Sequence, residues 1–170
     1  LSRELDIFTK AAYELLNTDV SEIRPCIEIA LMEIFNNIRS HSHARNIRYL
    51  AQRWYDEHLE LAIYDDGIGF RNSLNALSES HALDSAVFKK ISSTGNINRG
   101  WGLQTLKVLV LNSEIKGEFL LISNDHYCSI ATSENGYQKE IGSLGFSIKG
   151  AMVVLRLNNL SRSNFSDIYD

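Results

Sequence analysis

One stretch of the 170-residue chain decides its fold: Ile27-Glu-Ile-Ala-Leu-Met-Glu-Ile-Phe-Asn-Asn-Ile-Arg-Ser-His41. Apolar residues recur there at helical spacing, and they predict a buried stripe formed by Ile23, Ile27, Leu31, Ile34 and Ile38. Glu33, Asn37 and His41 follow one another at i, i+4 intervals along the edge of that stripe. The face expected to be solvated carries Glu28, Met32, Arg39 and Ser40.

Polar groups at the edge of a core need partners. A buried carboxylate or amide left without a hydrogen bond costs about 1–3 kcal/mol, so this row predicts either a ligand site or an ordinary contact with a neighbouring loop. The helix alone does not decide between the two.

Composition sets the class of protein. The chain is 44% hydrophobic and 22% charged, which is typical of one globular domain. A net charge of −4 without runs of Lys or Arg argues against nucleic-acid or anionic-membrane partners. Cys26 and Cys128 form no CxxC pair and indicate reduced thiols.

Targeting signals are not visible in the sequence. No apolar run approaches the roughly 18 residues of a membrane helix, and the N-terminus lacks a signal-peptide pattern, so a cytoplasmic chain is expected. Because the sequence begins with Leu1 and not methionine, we expect a segment of a longer protein or a processed form.

Upstream of the central helix the pattern predicts a second, amphipathic helix over residues 2–17, and residues 1–19 are assigned to this N-terminal element. The chain's one proline, Pro25, suits only the first turn of a helix. The central helix is therefore expected to begin between Glu22 and Arg24, within a main domain of residues 20–158.

Downstream, residues 45–55 and 58–64 predict an antiparallel hairpin. Its second strand runs into Asp65-Asp66-Gly67-Ile68-Gly69-Phe70. Two glycines one residue apart permit positive φ and the close approach of a ligand. A tight turn whose aspartates cap the backbone is the alternative interpretation.

Residues 71–99 are mostly polar, with a short helix predicted around 83–91, and their length favours a lid or binding loop. The segment Asn98-Arg99-Gly100-Trp101-Gly102-Leu103 then opens a helix whose buried side carries Leu103, Leu106, Leu109 and Val110. A Gly-x-Gly at a helix N-terminus is typical of a phosphate cradle. Close packing at the helix entry explains it about as well.

Four strands are predicted over residues 118–124, 127–132, 137–141 and 151–157, with turns at 125–126 and 135–136. The order of elements predicts an α+β fold, a two-layer α/β sandwich with helices on one face of a mixed, mostly antiparallel sheet. Residues 159–170 are expected to form a flexible tail.

Three motifs together resemble a known family. In order, spacing and context, Glu33-x3-Asn37-x3-His41, Asp65-x-Gly67-x-Gly69 and Gly100-x-Gly102-Leu103 resemble the ATP-binding domain of the GHKL superfamily, over residues 20–157. That superfamily comprises gyrase B, heat-shock chaperone, histidine-kinase and mismatch-repair ATPases. The resemblance implies the Bergerat-type ATP-binding fold, with ATP and Mg²⁺ as ligands.

The resemblance also implies roles for three polar side chains. Asn37 matches the asparagine that ligates Mg²⁺, and an amide oxygen is a suitable hard ligand. Glu33 matches the carboxylate that orients or deprotonates the attacking water or hydroxyl. Asp65 matches the aspartate that accepts a hydrogen bond from the adenine 6-amino group.

Backbone-mediated contacts are implied as well. Gly67 and Gly69 would let the chain pass close to the base, and the segment from Gly100 through Gly102 to Leu103 would offer backbone amides to the phosphates. Asp66 stands where many relatives carry asparagine.

Two basic residues are less specific. His41 matches a position that is often basic or histidine in the family, although a core-edge histidine would look the same. Arg99 could neutralise phosphate charge, and an exposed lid arginine explains it equally.

Two activities are consistent with these motifs. The first is a kinase-type module that transfers the γ-phosphoryl of Mg-ATP to a protein phosphoacceptor. Because residues 1–17 contain no histidine, the chain resembles the anti-sigma-factor type, which phosphorylates a serine or threonine of a small antagonist protein. The alternative is an ATP-gated protein-interaction module with slow or no hydrolysis. A regulatory protein partner and a homodimer are compatible with either.

Overall fold

Helices and strands follow one another in blocks in the computed structural model, which describes residues 2–15, 24–54, 58–88, 102–112 and 115–158. The helical elements are α1 (Ser2–Leu15), α2 (Arg24–Asn37), a π-helical turn (Ile38–Ser42), α3 (Gly69–Ser73), α4 (Glu79–Phe88) and α5 (Gly102–Leu111). The strands are β1 (Ile47–Trp54), β2 (His58–Asp65), β3 (Glu118–Ser123), β4 (His126–Ser133), β5 (Gly136–Ser143) and β6 (Ala151–Asn158).

The six strands form one sheet in the order β1-β2-β6-β3-β4-β5. Every neighbouring pair of these strands is antiparallel, so the expectation of a mixed sheet is wrong for the described residues. The reason is the path of β6, which enters between β2 and β3 and runs opposite to both. The β3–β4 turn lies at Asn124-Asp125, one residue before its predicted position, with Asn124 in the left-handed region at φ 53°.

One face of the sheet is buried under helices. Alternate residues of β2 and β6 face the core, and they pair across the two strands as Leu59 with Leu157, Leu61 with Leu155 and Ile63 with Val153. Helix α5 contacts β3, β4 and β6, and α2 packs against α5. The predicted α+β two-layer arrangement is therefore confirmed.

Both main helices bury the residues that the sequence pattern predicts. On α2 and the π-helical turn these are Ile27, Leu31, Ile34 and Ile38, and on α5 they are Leu103, Leu106, Leu109 and Val110. Ile23 lies outside the described residues. The predicted solvated face is exposed at Glu28, Met32, Arg39 and Ser40. Helix α2 begins at Arg24, so Pro25 lies in its first turn. Within the described residues, no helix is long and apolar enough to cross a membrane.

The first part of the expected lid is packed into the body of the fold. Residues 69–73 and 79–88 form α3 and α4, and Ala82, Leu83 and Val87 are buried. Helix α4 begins at Glu79, four residues before the predicted start, because the Ser78 hydroxyl accepts a hydrogen bond from the His81 amide at 3.2 Å. The rest of the expected lid, residues 89–99, and the expected tail, residues 159–170, lie outside the described residues.

Cys128 is a buried free thiol on β4. Burial raises the pKa of the Cys128 thiol to about 11, so it stays protonated at neutral pH. Burial makes this thiol an inert one.

Candidate functional site

The polar row of α2 lies at the border of the core. Glu33 and Asn37 are partly buried, and each is followed along the chain by a buried isoleucine, Ile34 or Ile38. They are one helical turn apart, so their side chains lie on the same side of α2. An acidic oxygen and an amide therefore border the core, as the spacing predicts.

Directly after Asn37 the helix widens into the π-helical turn Ile38–Ser42. In a turn with i→i+5 hydrogen bonds, successive residues are rotated about the helix axis by a smaller angle than in an α-helix. His41 is partly buried within this turn, four residues after Asn37, and its membership of the polar row stays a prediction. His43 ends the turn in the left-handed region, at φ 54° and ψ 26°.

The end of the π-helical turn is tied to the loop after β2. The Ser42 carbonyl accepts a hydrogen bond from the Ile68 amide at 2.8 Å. The Ser42 hydroxyl donates to the Ile38 carbonyl at 2.8 Å and accepts from the Ala44 amide at 3.1 Å. The helix that carries Glu33 and Asn37 is thus connected to the Asp65–Gly69 loop through Ser42.

Asp65, the last residue of β2, is buried with 5% of its surface exposed. Its Oδ1 accepts a hydrogen bond from the Gly67 amide at 2.9 Å. Desolvation raises the pKa of the Asp65 carboxyl, and the negative charge of Asp66 adds to this, whereas the Gly67 amide and the Ser42 hydroxyl lower it. The site therefore contains a buried carboxyl that accepts a hydrogen bond from the Gly67 amide.

The neighbouring Asp66 has a different role. Its Oδ1 accepts hydrogen bonds from the backbone amides of Arg45, at 2.8 Å, and Asn46, at 2.9 Å, and its Oδ2 accepts from the Asn46 side chain at 2.7 Å. Hydrogen bonds from Asn46 and then Arg45 lower the pKa of Asp66 to about 2. Asp66 thus caps the chain at the entry to β1, as the tight-turn interpretation predicts, while Asp65 is directed into the protein.

The two loop glycines lie where side chains would collide with the protein itself. A Cβ at Gly67 would lie 2.2 Å from the Ser42 carbonyl oxygen and 2.6 Å from Asp65 Oδ1. Gly69 has φ 74°, and its Cβ would lie 2.5 Å from Asn124 Nδ2. Both glycines are therefore required for close packing of the loop, whatever they offer to a ligand.

Gly150 is a site residue that the sequence motifs missed. It precedes β6 with φ 94°, and a Cβ there would lie 2.0 Å from the Asp65 carbonyl oxygen and 2.7 Å from the Gly67 amide nitrogen. The strand register explains this proximity, because Ala151 pairs with Asp65. The available signal was a lone glycine directly before the last predicted strand.

A second anchor holds the far end of the loop. The Phe70 amide donates to the hydroxyl of the fully buried Ser123 at 2.8 Å. Asn124 in turn donates through Nδ2 to Oε1 of Glu79, a buried carboxylate at the start of α4 whose Oε2 has no hydrogen-bond partner among the described residues. Local sequence contains no signal for the burial of Glu79, because its partner lies 45 residues away.

The remaining predicted site residues belong to the glycine-rich segment. Gly102 begins α5 and Leu103 is buried in its first turn. Arg99 and Gly100 lie outside the described residues. The phosphate cradle therefore stays a prediction.

The donor set at α2 suits a cation that arrives with its own oxygen ligands. The described residues contain no group of three His, Cys, Asp or Glu side chains that could hold a metal ion. The Asn37 amide and the Glu33 carboxylate supply hard oxygen atoms one turn apart. Mg²⁺ commonly takes one or two protein ligands together with phosphate oxygens and water, so these residues fit it.

Comparisons with known proteins find a similarity of structure and none of sequence family. No family model matches the chain, and no curated protein matches it. Among solved structures it is similar to the ATP-binding domain of topoisomerase IV from Francisella tularensis, determined in complex with a small-molecule inhibitor. The identity is 15% and the TM-score 0.45, over 89% of this chain and 42% of that chain. This protein thus spans less than half the length of that chain.

Proposed function

We propose that the chain is an Mg-ATP-binding catalytic domain that transfers the γ-phosphoryl group to a protein partner. One observation carries the proposal: the loop that holds the buried Asp65 carboxyl is tied, by the hydrogen bond from the Ile68 amide to the Ser42 carbonyl, to the helix that bears Glu33 and Asn37. A base-recognising group and a phosphate-side pair thus belong to one hydrogen-bonded unit. The resemblance of the three motifs to GHKL ATPases supports the same proposal.

Asp65 would select the base. An ionised carboxylate only accepts hydrogen bonds. Adenine presents a donor at its 6-amino group, whereas guanine presents the O6 acceptor at that position. Burial strengthens both the attraction and the repulsion, so we expect ATP to bind and GTP to be rejected.

Asn37 and Glu33 would serve the phosphate end. The Asn37 amide oxygen would ligate Mg²⁺, which supplies charge neutralisation on the phosphate oxygens when it is bound with the nucleotide. Glu33, one turn earlier, would orient the acceptor hydroxyl and take its proton. The Gly100-x-Gly102 segment and Arg99 are proposed to contact the phosphates, and His41 is proposed to lie near them.

The metal role predicts a specific loss in Asn37→Ala. This variant is expected to bind ATP with the same affinity in the presence and absence of Mg²⁺, because the side-chain oxygen that favours the metal complex is gone. Isothermal calorimetry with ATP, in the presence and absence of Mg²⁺, measures the effect, and the same titration with GTP tests base selectivity. Asn36→Ala, which changes an exposed asparagine on the same helix, is the matched control. The proposal fails if the wild type binds neither nucleotide, or if Asn37→Ala keeps the full Mg²⁺ dependence.

The catalytic role predicts that Glu33→Gln separates binding from turnover. Loss of a general base lowers turnover by roughly 10²- to 10⁴-fold, while ATP affinity is expected to stay close to that of the wild type. Formation of ADP over time, measured beside calorimetry, tests this. Glu28→Gln removes an exposed carboxylate of α2 and should change neither quantity. Equal ADP formation in wild type and Glu33→Gln, with binding intact, contradicts catalysis and favours the ATP-gated interaction module.

A further inference from the structure

Asn124, in the turn between β3 and β4, is a residue at which three segments around the Asp65–Gly69 loop meet. Its backbone is in the left-handed region, at φ 53°. Its amide donates to the Gly150 carbonyl at 3.1 Å, and its carbonyl accepts from the Ile148 amide at 2.9 Å. Gly150 in turn packs against the carbonyl of Asp65. The backbone of Asn124 is therefore fixed by the segment that leads into β6.

The side chain of Asn124 reaches the other end of the loop. A Cβ at Gly69 would lie 2.5 Å from Asn124 Nδ2 and 3.2 Å from Asn124 Cγ, so this amide group packs directly on the Gly69 backbone. The next residue of the loop is held as well, because the Phe70 amide donates to the buried Ser123 hydroxyl at 2.8 Å. Two consecutive residues of β3 and its turn thus hold two consecutive residues of the loop.

The Asn124 amide group is held in turn by the carboxylate of Glu79. Asn124 Nδ2 donates to Oε1 of Glu79, which is 8% exposed and lies in the first turn of α4. The other oxygen, Oε2, is buried and has no hydrogen-bond partner among the described residues. The start of a helix favours a negative charge, but a buried carboxylate with an unpaired oxygen still costs stability. Such a departure from good packing is typical of a functional site.

We propose that Glu79 and Asn124 are a positioning pair for nucleotide binding: the Glu79 carboxylate orients the Asn124 amide group, and that group fixes the last glycine of the Asp65–Gly69 loop. The inference rests on the proposed function, because the loop that the pair fixes is the one assigned to the base. The pair also links this loop to α4, so the position of α4 and the shape of the base site are coupled. A loop that is fixed before ATP arrives lowers the cost of binding.

Reversal of the hydrogen bond tests the pair directly. In Asn124→Asp two carboxylates face each other and the bond is lost, whereas Glu79→Gln keeps an acceptor oxygen for Asn124. In the double variant the glutamine amide donates to the new carboxylate, so the bond is restored with its polarity reversed and the net charge equals that of the wild type. Asn and Asp both tolerate a left-handed φ, so the exchange adds no backbone strain. Asn135→Asp places the same charge in an exposed turn and is the matched control.

Amide hydrogen exchange, followed by NMR without nucleotide, measures the hold on the loop. We expect the Phe70 amide to exchange about tenfold faster in Asn124→Asp and to return to within about twofold of the wild-type rate in the double variant. The Thr132 amide, which donates to the Gly117 carbonyl at 3.2 Å at the other end of β4, should keep its rate. Equal acceleration of both amides would indicate a general loss of stability and would overturn the inference, as would an unchanged Phe70 rate. If Asn124→Asp does not fold, Glu79→Ala removes the acceptor and has the same expected result.

ATP affinity, measured by calorimetry, tests the link to function. Asn124→Asp should weaken it about tenfold, Glu79→Gln and Asn135→Asp should stay within about twofold of the wild type, and the double variant should recover the affinity. A loss that the double variant does not recover would contradict the pair. An unchanged affinity in Asn124→Asp, with faster exchange at Phe70, would contradict its positioning role. If the wild type binds no ATP, the proposed function fails, and the exchange rates still decide whether the pair holds the loop.

Discussion

Asp65→Asn is expected to weaken ATP binding by about a hundredfold or more, the loss of a charge-assisted hydrogen bond inside a buried site. The amide retains an oxygen, but the Gly67 amide already donates to Oδ1 at 2.9 Å. If that oxygen continues to serve Gly67, the NH₂ group is directed at the donor of adenine. Calorimetry with ATP measures the loss, and GTP tests whether the rejection of guanine relaxes.

We do not expect the loss of ATP affinity in Asp65→Asn to result from unfolding of the variant. Burial raises the pKa of Asp65, so its ionised form costs free energy in the folded state and the folded protein gains stability as the pH falls through this pKa. A neutral amide avoids that cost. The midpoint temperature of thermal unfolding of Asp65→Asn should therefore equal or exceed that of the wild type. Asp66→Asn is the control with the reverse expected pattern. It removes a carboxylate that stabilises the loop, so the protein should become less stable, but ATP selectivity should stay intact. ATP affinity preserved in Asp65→Asn would exclude this residue from base recognition.

Gly150→Ala is expected to be the most destabilising single methyl addition in the described part of the chain. The new Cβ would lie 2.0 Å from the Asp65 carbonyl oxygen and 2.7 Å from the Gly67 amide nitrogen. Both are backbone atoms, which cannot rotate away as a side chain can. Left-handed strain at φ 94° adds to the collision. We expect a loss of about 3 kcal/mol or more in the free energy of unfolding, measured by urea denaturation.

Two other glycines separate the causes. Gly136 also has a positive φ, 115°, but a Cβ there meets nothing within 4 Å, so Gly136→Ala should show the strain without the collision, about 1–2 kcal/mol. Gly145 has open space and no left-handed φ, and Gly145→Ala should stay within about 0.5 kcal/mol of wild type. Equal losses at Gly150 and Gly136 would show that β6 can move away from the Asp65 loop.

Patterns of local spacing predicted the elements well. The stripe of α2, the placement of Pro25 and the four C-terminal strands follow from periodicity and turn chemistry, which act between near neighbours in the chain. The π-helical turn was not predictable this way, because Asn37 and His41 have the same sequence separation in an α turn and in a π turn. The residue that ends the turn, Ser42, accepts a hydrogen bond from Ile68, which lies 26 positions later and is not visible to local spacing.

The same limit applies to the site. The Asp65-Asp66 pair allowed two interpretations, a loop that a ligand can approach and a tight turn capped by aspartates. The structure assigns the capping role to Asp66, while Asp65 is buried beside Ser42. Burial of Glu79 against Asn124, and of Gly150 against Asp65, results from strand order and could not be read from either segment alone. Sequence thus located the motifs, and long-range pairing decided which atoms meet.

The last of the described strands, β6, lies in the middle of the sheet, which affects synthesis on the ribosome. Until β6 has emerged, β2 and β3 each keep an unpaired edge, and Leu61 and Phe119 lack their shared neighbour Leu155. A nascent chain ending before Ala151 therefore carries two separate antiparallel pieces, β1-β2 and β3-β4-β5, whose open apolar edges can pair with other chains. Shielding of the nascent chain by chaperones should matter most in this interval, before Gly150 can close against Asp65.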